Sequence, residues 1–224
     1  MPYDGQATAS GSERKGCWTM IPTQDGWTIV LAGHWNRMIF TPQWVSDRLF
    51  HTAEVETLVG LPPVAPFIYR NPQVLLEVAS SRLVFRPQVL NDECLQRAEE
   101  MALTVLETLR DTPLIAVGIN FAFTEQNPPD ELLALFNSPD GVLIAGAGWE
   151  IVSHRLTRQL RREERTLNLT LVFSGQEVQV EFNFHTDTPT NESACNAVRR
   201  NVLNLRQSTL DLVQEAYQLE LVEG

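Results

Sequence analysis

The densest chemistry in the chain is the run "SHRLTRQLRREER" at residues 153–165, which carries Arg155, Arg158, Arg161, Arg162 and Arg165. A guanidinium group is a planar fork of donors, so arginines gathered on one surface grip phosphates or an acidic protein segment through bidentate bonds. The spacing suits two local structures. On a helix the arginines form one broad stripe opposite Val152, Leu156 and Leu160; on a strand they divide between two faces. The plainer reading is a solvated edge strand whose arginines pair with Glu163, Glu164 and Glu181 across a sheet.

Other candidate chemistry is thinner. Cys94 and Cys195 each fall in the first turn of a long helical pattern, where the positive end of the helix dipole lowers a thiol's pKa. Cys195 also begins an apolar stripe and Cys94 directly precedes one, so packing is the stronger reason for both. His34, His51, His154 and His185 show no HxxxH, HxH or HExxH spacing, so no metal site is legible. No GxSxG elbow exists. In "GVLIAGAGWE" at 141–150, Gly141 and Gly146 have the outer spacing of a phosphate loop, but Ala147 and Gly148 stand where Lys and Ser or Thr are needed. Gly146 and Gly148 would open a GxGxxG, except that Ile151 replaces its last glycine; a turn is the plain reading. No motif calls for a cofactor.

Tryptophan offers a different lead. Trp18, Trp27, Trp35 and Trp44, four of the five in the chain, lie close together. Trp brings a large contact area at little entropic cost and is enriched where proteins bind one another, although it also builds cores. Trp35 and Trp44 are therefore the candidate protein-binding residues, provided that their rings reach the surface.

Composition narrows the partners. A formal net charge of −11, with Lys15 the one lysine among 17 basic residues, repels phosphates at long range. Nucleic acid is thereby disfavoured unless the arginines share a face. The three cysteines form no CxxC pair and are odd in number, which is no disulfide framework. The N-terminal stretch lacks a basic region followed by an apolar run, and no 18-residue apolar segment occurs. A cytoplasmic, non-membrane protein is expected, in which the sequons at Asn168 and Asn191 carry no weight. At 224 residues, 43% hydrophobic and 20% charged, the chain is long enough for one sizeable domain or two fused smaller ones.

The elements that must position these residues follow from periodicity. Residues 1–16 read as a flexible tail, with order beginning near Trp18. "WTIVLAGHWNRMIF" at 27–40 reads as a strand or bent hairpin, after which Thr41 caps a short helix with Pro42 at its first position. The runs "AEVETLV", "PFIYR", "VLLEV" and "RLVF" between 53 and 86 read as an antiparallel meander. Asn91 caps a helix whose stripe is Leu95, Ala98, Ala102, Val105 and Leu109. "LIAVGINFAF" at 114–123 alternates as a strand. Leu167, Leu169, Leu171 and Phe173, then Val178, Val180, Phe182 and Phe184, form two strand faces around an "SGQ" turn. A last helix starts near Asn191, with Cys195, Val198, Val202 and Leu205 on one stripe.

Two echoes run through these elements. "IFTPQWVSDRL" at 39–49 shares Phe, Thr, Gln, Asp and Leu with "AFTEQNPPDEL" at 122–132, 83 residues on. The stripe Leu95, Ala98, Ala102, Val105 returns 100 residues later as Cys195, Val198, Val202, Leu205. The expectation is a duplicated α+β chain: repeat A over 17–112 and repeat B over 113–224, each β-α-β(4)-α, joined in one curved, mainly antiparallel sheet with two long helices on one face. That element order resembles the TATA-box-binding-protein-like fold. The resemblance covers most of the chain and lies in element order alone, so it carries over no functional residue.

Three functional readings follow. The first is a non-enzymatic, bacterial-type cytosolic adaptor or regulatory subunit that holds a protein partner. The second is a nucleic-acid-associated subunit using Arg155, Arg158, Arg161, Arg162 and Arg165. The third is an enzyme with a site between the halves, built on His34 or His185 with nearby carboxylates.

Overall fold

The computed structural model describes residues 19–52, 55–59, 65–162, 165–217 and 220–221. The expected tail over 1–16 lies outside the described residues, as do Cys17, Trp18, Glu163 and Glu164. The chain begins with strands β1 (Thr19–Pro22) and β2 (Thr28–Gly33), then helix α1 (Pro42–Val45), which Thr41 caps by accepting from the Trp44 N–H. One wide turn over Ser46–Phe50 follows and ends at His51, in the left-handed region at φ 54°. A meander of β3 (Glu56–Val59), β4 (Phe67–Arg70), β5 (Val74–Val78) and β6 (Arg82–Pro87) leads into helix α2 (Asp92–Thr108). The second half comprises β7 (Leu114–Glu125), short helices α3 (Asp130–Leu133) and α4 (Gly141–Gly146), β8 (Ser153–Arg162), β9 (Arg165–Ser174) and β10 (Glu177–Asp187). Helices α5 (Asn191–Val198) and α6 (Val202–Tyr217) and the two-residue β11 (Glu220–Leu221) complete it.

These strands form one open, curved, mostly antiparallel sheet in the order β3-β4-β5-β6-β2-β7-β10-β9-β8. Strand β7 lies inside the sheet between β2 and β10, and its apolar side chains alternate. Val117, Ile119, Phe121 and Phe123 are all buried on one face, while Ala116, Gly118, Asn120 and Ala122 lie on the other. Along one side of β7 run both β1 and β2, separated by a single turn of 3-10 helix at Gln24–Gly26. The turn is pinned at Ala122, whose carbonyl accepts from the Thr23 N–H at 2.9 Å and the Trp27 indole N–H at 3.1 Å. Only glycine fits at position 26, since a Cβ there would lie 2.2 Å from the Ala122 Cβ.

Helices α2, α5 and α6 pack on one another and on the strands from a single side. Leu95, Ala98, Ala102 and Val105 of α2 meet Val198, Val202, Leu205 and Val213 of α5 and α6 in one core with Leu31, Phe85 and Phe182 of the sheet. The apolar period thus placed both long helices, and their starts at Asn91 and near Asn191 agree with expectation, but the two caps differ in kind. Asn91 caps α2 by accepting from the Cys94 N–H, whereas the corresponding cap of α5 is Thr190 in a capping box with Ser193. Asn191 instead turns its amide onto the Leu106 carbonyl, 2.9 Å away, and closes the C-terminal end of α2.

The last helix is also not continuous. Arg200 takes φ 56° and separates α5 from α6, while the buried stripe Cys195, Val198, Val202, Leu205 runs through the break. The neighbouring helix holds the break: the Glu99 carboxylate of α2 accepts from the Arg200 N–H at 2.6 Å and the Val202 N–H at 3.1 Å. A carboxylate at the start of α6 satisfies orphan donors and opposes the helix dipole. The second half differs from the expected β-α-β(4)-α pattern as well, since its meander has three strands, β8 to β10. The echo at 83 residues pairs unlike positions, because Thr41 caps a helix while Thr124 lies inside β7.

Candidate interaction surface

On the sheet face away from the helices, strand register assembles a chain of side-chain hydrogen bonds. Thr28, Asn120, Asn183, Asn168 and Gln159 stand opposite one another on β2, β7, β10, β9 and β8. The Gln159 amide donates to Asn168 at 3.1 Å, Asn168 to Asn183 at 2.9 Å, Asn183 to Asn120 at 2.5 Å, and Asn120 to the Thr28 hydroxyl at 2.9 Å. All bonds run in one direction. Gly118 lies beside this row, where a Cβ would come within 3.3 Å of the Asn183 amide nitrogen. The ladder crosses five strands and ends at β8, the outer edge of the sheet.

The arginine run forms that edge. As a strand it divides the cations: Arg155 and Arg161 share the open face with Gln159, while Arg158 and Arg162 point to the helix side with Leu156 and Leu160. Arg158 reaches the Tyr217 hydroxyl at 3.4 Å; burial raises that phenol's pKa, and the guanidinium beside it offsets the rise only in part. Arg165, at the start of β9, donates to the Asn201 side chain at 2.8 Å. Among the described residues none of the five arginines forms an ion pair. Glu181, an expected partner, lies two strands away from β8, opposite Thr170. The run therefore does not make the single cationic stripe that a helix would have given.

An apolar projection leads into this edge. Helix α4 ends in a Schellman motif, with Gly148 at φ 84°, its N–H on the Ala145 carbonyl and the Trp149 N–H on the Ile144 carbonyl at 3.1 Å. That cap closes a short helix of which Ile144 is half-buried while other apolar side chains in and just after it stand in solvent. Val142, Leu143, Trp149 and Val152 are 82%, 73%, 74% and 71% exposed. Single exposed apolar residues are ordinary, but several gathered within one short segment form the kind of patch that marks a contact surface.

The tryptophans singled out by clustering lie elsewhere. Trp35 is 4% exposed, donates to the Leu31 carbonyl at 3.0 Å and stacks edge-on against Phe40. Trp44 is half-buried on the other side of Phe40, and Trp27 is buried between Phe121 and Phe123. Among the described residues the exposed indole is Trp149, which lies outside the cluster. Its signal in the sequence was a Gly-rich apolar stretch with no helix or strand period, which gives a core nothing to grip.

The remaining candidates are not brought together. His34 is exposed, and His185 pairs with Asp187 at 3.1 Å on the sheet's open side. His51 lines a cleft with Ser46 and Asp47, but the Ser46 hydroxyl donates to the Thr52 carbonyl. Cys94 and Cys195 are buried free thiols. Burial pushes the Cys195 thiol up, Glu107 adds to that, and Arg199 and Arg110 only partly offset it, which is the opposite of an activated nucleophile. Among the described residues no group of three or more His, Cys, Asp or Glu side chains has the placement of a metal site, and no helix is long and apolar enough to cross a membrane. No model of a known protein family matches this chain, and no curated protein does.

Proposed function

We propose that this protein is a non-enzymatic cytosolic adaptor or regulatory subunit that binds a protein partner on the β8 side of its sheet. The observation that carries the reading is the exposed apolar projection formed by Val142, Leu143, Trp149 and Val152, held by a defined helix cap beside an edge strand. Exposed apolar area of this kind gains from burial against a partner at about 25 cal/mol per Å². Free buried thiols at Cys94 and Cys195 suit a reducing compartment.

The experiment is affinity capture from the native host with and without nuclease, comparing the wild type with Leu143→Ser/Trp149→Ser. A stoichiometric protein that survives nuclease and is lost from the variant is the expected result. Capture that ignores the variant, or a protein that stays alone, removes the reading.

A second reading, contact with nucleic acid, draws on Arg155, Arg158, Arg161, Arg162 and Arg165 lacking ion pairs among the described residues. Their division between two faces and the net charge of −11 weigh against it. Binding that falls steeply with salt and vanishes in Arg158→Ala/Arg161→Ala would restore it.

We also propose that the chain descends from a duplication. Support comes from β2 and β7 lying antiparallel at mid-sheet, each followed by short helices, a meander that returns to pair with it, and long helical cover. On this reading, residues 113–224 expressed alone self-associate through β7 in place of β2. A folded monomer of that fragment with β7 unpaired would count against it.

A further inference from the structure

The register of β8 fixes which of its backbone groups are unused. The Gly175–Gln176 turn closes on Ser174 and Glu177, the hydrogen-bonded pair of a two-residue hairpin, so even-numbered residues of β9 bond to β10 and odd-numbered ones to β8. The odd-numbered residues of β9 stand opposite even-numbered residues of β8. Ser153, Arg155, Thr157, Gln159 and Arg161 therefore direct their N–H and C=O groups outward from the sheet edge, and the same residues carry the side chains of the open face.

The helix side of this edge is unfinished. Leu156 is half-buried and Leu160 is 39% exposed. Beyond them the ends of β8 and β9 and helix α6 line a groove of about 600 Å³, in which Leu160, Leu167 and Phe184 lie with Arg161 and with the α6 carboxylates Asp211 and Glu215. One more strand would continue the sheet and place alternate side chains over these leucines.

We propose that β8 receives an extended segment of a partner protein as an additional strand, and that this segment alternates acidic with apolar residues. The inference rests on the protein-partner reading above and adds the partner's chemistry. Residues paired opposite Arg155 and Arg161 project onto the open face, where carboxylates meet guanidinium groups that lack an ion pair among the described residues. Their neighbours along the segment project to the helix side and cover Leu156 and Leu160. A second copy of this chain fits less well, since an antiparallel β8 centred on Arg158 sets Arg155 against Arg161, a like-charge pair. Nucleic acid would leave the outward backbone donors and the leucines unused.

The test is fluorescence anisotropy on the full chain with a blocked peptide of alternating Val and Glu as long as β8. Controls are a scrambled peptide of the same composition, an alternating Val and Lys peptide, and single-stranded oligothymidine. The Val–Glu peptide binds and the controls do not. Thr157→Pro removes an outward N–H without touching a bond to β9, and weakens binding by about tenfold or more while the melting temperature holds. Should that variant melt early, Arg155→Glu/Arg161→Glu decides: it transfers preference to the Val–Lys peptide. Equal binding of the scrambled peptide, indifference to both variants, or binding of the oligonucleotide in the peptide's place overturns the proposal. A captured host partner that depends on Leu143 and Trp149 but ignores the β8 variants leaves the adaptor reading standing and this inference fallen.

Discussion

Replacing Asn183 by Leu interrupts the amide ladder at its middle. The side chain donates to Asn120 and accepts from Asn168, so the substitution removes two bonds and leaves an acceptor and a donor without their partners. Each such bond is worth about 1 kcal/mol net. All three amides are half-buried, so water recovers part of the loss and the expected cost is ~1–2 kcal/mol. For a chain of this size that lowers the melting temperature by about 2–8 °C. Position along the ladder supplies the control, since Gln159 is exposed and makes one ladder bond at its end, and Gln159→Leu costs no more than ~0.5 kcal/mol. In Asn120→Leu/Asn183→Leu both ends of one bond are gone, and the double variant loses less than the sum of the singles by about 1 kcal/mol. Calorimetric or denaturant melts of these variants are the assay. Additive losses, or an Asn183→Leu variant as stable as the wild type, would refute the ladder as a source of stability.

Further outcomes follow from contacts elsewhere in the molecule. Gly26→Ala drives a Cβ into Ala122 and costs ~2 kcal/mol or more in chemical denaturation, and the compensating Ala122→Gly in the same chain recovers most of it. Glu99→Ala removes the carboxylate that accepts from Arg200 and Val202, costs about 1–2 kcal/mol, and speeds amide exchange around residues 200–205. Tyr69 donates to the Phe40 carbonyl, and burial, only partly offset by Arg37, raises its pKa. A phenol held up in the folded state ionises first in the unfolded chain. Its contribution is therefore full below the ordinary tyrosine value near 10 and is lost as pH rises beyond it. Tyr69→Phe flattens this alkaline fall in denaturant titrations; an unchanged slope would exclude Tyr69 as its origin.

Local pattern made the strands and both long helices legible, because each needs only its own period to be recognised. The alternation of β7, the β9–β10 hairpin and the Asn91 cap all follow from residues within one short window. Features assembled over distance were not legible. The break at Arg200 is bonded to Glu99, about a hundred residues away, and nothing in "VRRNVLN" announces it. The ladder gathers Thr28, Asn120, Asn183, Asn168 and Gln159 through register, which periodicity does not specify.

Side-chain type misled where burial decides its use. Trp27 and Trp35 sit in or beside an alternating apolar strand and were drawn into the core with it. Trp149, among glycines and without a period, was left outside. The arginine run was ambiguous because its apolar members, Leu156 and Leu160, are four residues apart, a spacing shared by one face of a helix and one face of a strand. Neighbouring β9 resolves it by supplying a ten-residue partner.

Hydrogen–deuterium exchange on the full chain, with and without its captured partner, tests the partner surface most directly. The account predicts slowed exchange over residues 142–162, greatest at the outward amides of β8, with the β3 edge and helix α2 unchanged. Protection confined to another region, or none along β8, would contradict it.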